Sequence, residues 1–196
     1  MGEANATEQR MSPTRTRASW KPGVSSHPLP FFRCTECHAV LCAVDDAADL
    51  RIDRSLRRED ATLPFAGNAF APSCCGRIME RLEPLPDGQR AGFSIGYEVV
   101  GGVDANALRV RWSSTSDHPL RWVALKTFTG VQLKYVLPGK KPPLVFAFAD
   151  EDAYAYCNED PCRACTFRCK RGFHLYAYLD GLGLIDQAVH AETLRT

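Results

Sequence analysis

A chain of 196 residues, 45% hydrophobic and 24% charged, carries enough apolar material for one core of ordinary size and little reason for a second domain. Its formal net charge of +1 speaks against a surface built to coat nucleic acid, and no apolar run approaches the roughly 18 residues that a membrane span needs. Nine cysteines without an apolar secretory leader imply a reducing compartment, cytoplasmic or nuclear, where clustered thiols bind metal more readily than they form disulfides.

The first 28 residues are rich in Ser, Thr, Pro and Arg and show no apolar periodicity, the composition of a disordered tail. Arg10, Arg15, Arg17 and Lys21 would suit an import peptide, but Glu3 and Glu8 count against one. Gly2 starts a myristoylation-like run in which Ala6 stands where Ser or Thr is required. Order is expected from Leu29, and residues 29–196 read as a single β domain. In LPFFRCTECHAVLC, Phe31 and Phe32 lead into Cys34 and Cys37, and Ala39 to Leu41 lead away, a strand, knuckle, strand pattern. Two thiolates spaced CxxC converge on one ion from a tight turn whose amides stabilise their charge. A redox dithiol uses the same spacing but opens a helix inside a βαβ unit, and nothing after Cys37 reads as an amphipathic helix. His38 beside the knuckle reads as a satisfied or solvent-facing side chain.

Residues 45–62 alternate acids and arginines and read as a solvated loop or short helix. Leu63 to Cys75 reads as a strand bent at Gly67 and Asn68 and ending at the paired Cys74 and Cys75, with Gly76 freeing the turn and Ile78 to Leu85 returning. Gly92 to Val100, Ala107 to Ser113, Trp122 to Phe128, Val131 to Leu137 and Leu144 to Ala149 are β-branched or aromatic runs. Thr129-Gly130 supplies a hairpin turn and PGKKPP a connector.

Asn158 to Tyr178 is the densest stretch. Pro161 sets a turn, Cys162 and Cys165 repeat the CxxC spacing, Cys169 follows, and Phe173, Leu175 and Ala177 alternate with His174, Tyr176 and Tyr178. Leu184, Ile185 and Val189 suggest a short C-terminal helix within Leu182 to Leu194. The expected class is mainly β, in antiparallel sheets.

PCRACTFRCKRGFHLYAY, FRCTECHAVLC and the GYEVV ending the Gly92 strand resemble the Ugene family, "family with sequence similarity seventy-two". Cys34 and Cys37 match its first knuckle, Phe65 and Gly67 its F-x-G strand, Cys74 and Cys75 its paired-cysteine turn, and Cys162, Cys165, Cys169 and Gly172 its last loop. About half the chain is covered. The departures are Gly88 and Ala91 in place of a second CxxC, Leu175 in place of Trp, and an insertion over 101–156, expected as an added β layer.

The resemblance implies a fold similar to the β-tent of the Yippee proteins, small antiparallel sheets clasped by zinc. It further implies a non-enzymatic protein-binding module that antagonises uracil-DNA glycosylase in base excision repair, with Phe173, Leu175, Tyr176 and Tyr178 at the interface. The implied topology brings Cys74 or Cys75 to Cys162, Cys165 and Cys169 around one zinc and leaves Cys34 and Cys37 at the opposite end. The rival class is an enzyme: a thiol oxidoreductase using a CxxC, or a cysteine hydrolase pairing Cys169 with His174. No Ser/His/Asp order, paired-acid motif or phosphate-binding glycine loop supports catalysis.

Overall fold

The computed structural model describes residues 29–43, 71–101, 106–115, 117–127, 130–149, 152 and 173–189. The described chain is mainly β and is built of small antiparallel sheets. Strands β1 (Phe31–Arg33), β2 (Val40–Cys42) and β5 (Glu80–Leu82) form a three-stranded sheet in the order β2-β1-β5, beside a two-stranded hairpin of β3 (Ser73–Cys74) and β4 (Arg77–Ile78). The longer strands follow. Here β6 (Phe93–Val100), β7 (Ala107–Ser114) and β10 (Leu144–Ala147) form a sheet ordered β10-β7-β6, and β8 (Leu120–Lys126), β9 (Val131–Tyr135), β11 (Phe173–Leu179) and β12 (Gly183–Val189) form one ordered β12-β11-β8-β9.

The four-stranded sheet is the middle of three layers, because both of its faces are apolar and both are covered. On one face Val123 and Leu125 of β8, Phe173, Leu175, Ala177 and Leu179 of β11, and Ile185 and Val189 of β12 pack against Phe93, Leu108, Val110, Leu144 and Phe146 of the β6-β7-β10 sheet. On the other face Trp122, Ala124, Tyr176, Tyr178 and Leu184 pack under Phe31, with Leu29, Val40, Cys42 and Leu82 around them. Phe31 is 1% exposed and meets Trp122 and Tyr176 at ring-centroid distances of 5.2 and 5.1 Å, close enough for tilted and edge-on aromatic contact. The N–H of Leu29 donates to the Tyr176 hydroxyl at 2.9 Å, satisfying a phenol whose ring is fully buried.

Two expectations are corrected here. Gly183–Val189 is a strand paired along its whole length with β11, from Leu179↔Gly183 to Phe173↔Val189, and not the start of a helix. The adjacent apolar pair Leu184 and Ile185 looked helical because a strand with one buried face would not carry it. Here Leu184 serves one covered face and Ile185 the other. Nor do the described strands within 101–156 make a layer of their own: β7 and β10 complete one sheet, and β8 and β9 lie in the other.

Gly101, at φ +116°, sits where an added Cβ would come within 2.8 Å of the Asn106 amide nitrogen, so only glycine fits between β6 and β7. No helix among the described residues is long and apolar enough to cross a membrane.

Candidate metal centre

Two tight turns build the site. β1 runs antiparallel to β5, with Phe31 opposite Leu82 and Arg33 opposite Glu80, so the turn leaving β1 emerges beside the hairpin that precedes β5. The first turn holds Cys34 and Cys37; it is closed by the His38 N–H donating to the Cys34 carbonyl at 3.1 Å and the Cys34 N–H donating to the Ala39 carbonyl at 2.9 Å. The second is the two-residue loop Cys75-Gly76 between β3 and β4. Both residues have positive φ, 51° and 75°, the combination that matches the twist of a tight hairpin.

These turns bring the sulfurs of Cys34, Cys37, Cys74 and Cys75 within 4.8 Å of one another. Cys37 Sγ lies 3.6 Å from Cys74 Sγ, and Cys74 Sγ lies 3.9 Å from Cys75 Sγ. Four sulfurs at about 2.3 Å from a common centre in a tetrahedron stand about 3.8 Å apart, so a cluster with these two spacings could hold a metal ion. All four cysteines are free thiols. Cys34 is buried at 1% exposure, whereas Cys37 and Cys75 are exposed at the rim. Beneath the site, Phe32, Ala43 and Met79 form a small apolar bed with Cys34.

Local electrostatics already favour a thiolate here. The Cys37 backbone amide beside the Cys34 sulfur, opposed by desolvation and helped by the Glu36 amide and the neighbouring thiols, lowers the Cys34 pKa from 9.0 to about 7. The Cys37 thiol, then those of Cys34 and Cys75, push Cys74 up to about 12, and Cys75 is also raised, Cys37 again being the largest cause. Backbone strain gathers at the same place. Among the described residues the non-glycine positions with positive φ are His38, Cys75 and Ala91, and the first two belong to these turns.

Of the sequence-predicted ligands, the structure brings together Cys34, Cys37, Cys74 and Cys75, contrary to the expectation that the two pairs stand at opposite ends. The antiparallel pairing of β1 with β5 is the reason. Cys162, Cys165 and Cys169 lie outside the described residues. Cys42 is half-buried on the face toward the middle sheet, where burial raises its pKa, and it is not among the four converging cysteines. His38 turns to Arg33, whose guanidinium Nη2 lies 2.7 Å from its Nδ1. His174, which the rival hydrolase reading paired with Cys169, has its Nδ1 3.0 Å from the Asp186 carboxylate.

The four side chains expected at a partner interface are placed differently. Phe173, Leu175, Tyr176 and Tyr178 are 0%, 1%, 0% and 6% exposed, because β11 is an inner strand of the middle layer with both faces covered. Of the four, Tyr178 reaches a cleft. The sequence reading also missed a cleft of about 360 Å³ beside the knuckle, between β2 and the β8–β9 end of the middle sheet. Val40, Cys42, Trp122, Leu133, Tyr135 and Tyr178 line it, and Arg121 and Asp180 stand at it as an ion pair. The Arg121 guanidinium beside Asp180 holds that carboxyl below its ordinary value. Tyr135 is 72% exposed on the edge strand β9.

No protein-family model matches this sequence, and no curated protein matches it. The structure is similar to the crystal structure of the superoxide reductase from Treponema pallidum. The identity is 16%, the TM-score 0.49, and the match covers 82% of this chain and 98% of that one.

Proposed function

We propose that this protein is a zinc-stabilised binding module in which the Cys34, Cys37, Cys74 and Cys75 thiolates hold one structural ion. The observation that carries the reading is the convergence of four sulfurs from two turns with spacings near those of a tetrahedron. Thiolate tetrahedra suit zinc or iron. Four protein ligands complete the tetrahedron and leave no open position for a substrate, the hallmark of a structural site, and zinc is preferred as the ion typical of structural four-cysteine sites. The ion would tie the β1–β2 turn to the β3–β4 hairpin, two short elements with little apolar area of their own, and so contribute folding energy directly.

Metal analysis of the purified, reduced chain tests this. About one zinc per chain, lost when Cys34 or Cys74 is replaced by Ser, supports it; a coloured, iron-loaded protein overturns the choice of zinc, and a chain that takes up neither overturns the site. On the resemblance alone, the partner to test first is the uracil-DNA glycosylase of the same cell, with the module lowering its activity or amount. The burial of β11 moves any such interface to other strands. Co-purification of the tagged protein from its native cells reads this out, and repeated absence of the glycosylase removes that partner.

A further inference from the structure

The four sulfurs are unequal in a way that bears on what an oxidant would do to them. Cys34 is sealed under the knuckle at 1% exposure, while Cys37 and Cys75 face solvent. An oxidant arriving from solution therefore meets Cys37 or Cys75 first, because attack on a thiol requires access as well as thiolate character. The two exposed sulfurs then differ in their partners. Cys75 lies 3.9 Å from Cys74, its own chain neighbour, and a disulfide between adjacent residues is strained; across the turns Cys37 is within 4.8 Å of it. The near neighbour of Cys37 is also Cys74, at 3.6 Å, but it sits on the other turn, 37 positions away, so closing that bond needs only a shift of two loop tips toward each other.

From this geometry we propose that the site is an oxidative modification site for hydroperoxides, with Cys37 as the sulfur that is oxidised and Cys74 as the sulfur that resolves it. The inference rests on the reading of the four cysteines as a metal site and adds its regulation. The Cys37 thiolate attacks a peroxide oxygen, the O–O bond breaks, and hydroxide leaves to give the sulfenic acid. The Cys74 thiolate then attacks that sulfur, the S–O bond breaks, a second hydroxide leaves, and the disulfide forms. Two thiolates give up two electrons, and the hydrogen peroxide that accepts them ends as two hydroxide ions protonated by the buffer. The remaining pair, Cys34 and Cys75, offers two thiolates in place of four, so the ion departs and the clasp between the turns becomes covalent. A dithiol reductant with added metal reverses the change.

The test uses the full chain loaded with zinc, its metal content measured first. Hydrogen peroxide is added in steps while a chromogenic chelator reads released zinc, and peptide mapping under non-reducing conditions reads the disulfides. The expected result is one zinc released for each Cys37–Cys74 disulfide, with recovery after reduction and zinc addition. A parallel sample treated with dimedone, which traps sulfenic acid, is expected to carry the label on Cys37 and not on Cys34. Cys42→Ser, outside the cluster, should leave both readouts unchanged. Zinc that stays bound while other cysteines oxidise, or a first disulfide that joins other residues, overturns the proposal. A chain that binds no metal at the outset overturns the metal reading instead, and the disulfide map and dimedone label from that same sample still decide the Cys37–Cys74 assignment.

Discussion

Cys37 and Cys74 face each other across 3.6 Å from two separate turns, and their contact depends on the pairing of β1 with β5 rather than on anything local to either turn. Each turn supplies two thiols, so neither can fill a tetrahedron alone. Replacing one ligand on either turn should therefore have the same effect. Cys34→Ser and Cys74→Ser are both expected to reduce the metal content of the purified protein from about one per chain to a small fraction and to lower its thermal midpoint. Cys42→Ser, outside the cluster, should retain the metal. Loss of metal in the Cys42 variant with retention in the other two would place the ion elsewhere.

Phe31 links the β2-β1-β5 sheet, beside the thiol cluster, to the middle layer through Trp122 and Tyr176. It is fully buried. Phe31→Ala should cost about 3 to 5 kcal/mol, the usual range for deleting a buried ring. Chemical denaturation is the measurement. A loss below about 1 kcal/mol would mean that the two layers are only loosely apposed.

Much of the strand framework was legible because alternation and aromatic runs survive in one-sided strands: β6, β7, β9 and β10 fall inside the runs expected for them, give or take a residue. The hairpin between β8 and β9 was legible too, the Thr127 N–H donating to the Gly130 carbonyl at 2.9 Å where the two strands meet. What failed was the reading of strands covered on both faces. β12 carries adjacent inward residues and passed for a helix, and β11, to which the resemblance alone gave an interface role, feeds a different core on each side. The thiol cluster was half legible. CxxC and the paired cysteines mark ligands on tight turns, and a two-plus-two count makes four, but which turns meet is decided by long-range strand pairing that no local spacing encodes. The signal available was the position of the paired cysteines on a hairpin immediately before the strand that returns to β1.

The Tyr176 hydroxyl is buried, and desolvation, with Asp186 and Cys42 adding to it, raises its pKa well above the ordinary tyrosine value of 10.0. The unfolded chain therefore releases this proton at a lower pH than the folded one, and stability contributed by the neutral phenol is lost as pH rises above about 10. Tyr176→Phe should flatten that alkaline loss while giving up the Leu29 N–H bond, worth about 1 kcal/mol near neutrality. Denaturation curves at neutral and alkaline pH compare the two proteins. Equal alkaline slopes would show that this phenol does not govern the loss.

Gly76 completes the hairpin that presents Cys74 and Cys75, and its φ of +75° lies in the left-handed region, where a side chain is disfavoured. An added Cβ there meets nothing within 4 Å, so the cost of Gly76→Ala would be conformational and not steric. The expected loss is about 1 to 2 kcal/mol in stability, accompanied by weaker metal retention against a competing chelator, because the two ligands of this turn are carried by the same backbone. Gly96 provides the control. It also has open space around its missing Cβ, but it lies in the middle of β6 without a positive φ, and Gly96→Ala should be neutral or slightly stabilising. If the two alanine variants release metal to the chelator at the same rate, the conformation of the Cys75-Gly76 turn is not what holds the second pair of ligands in place.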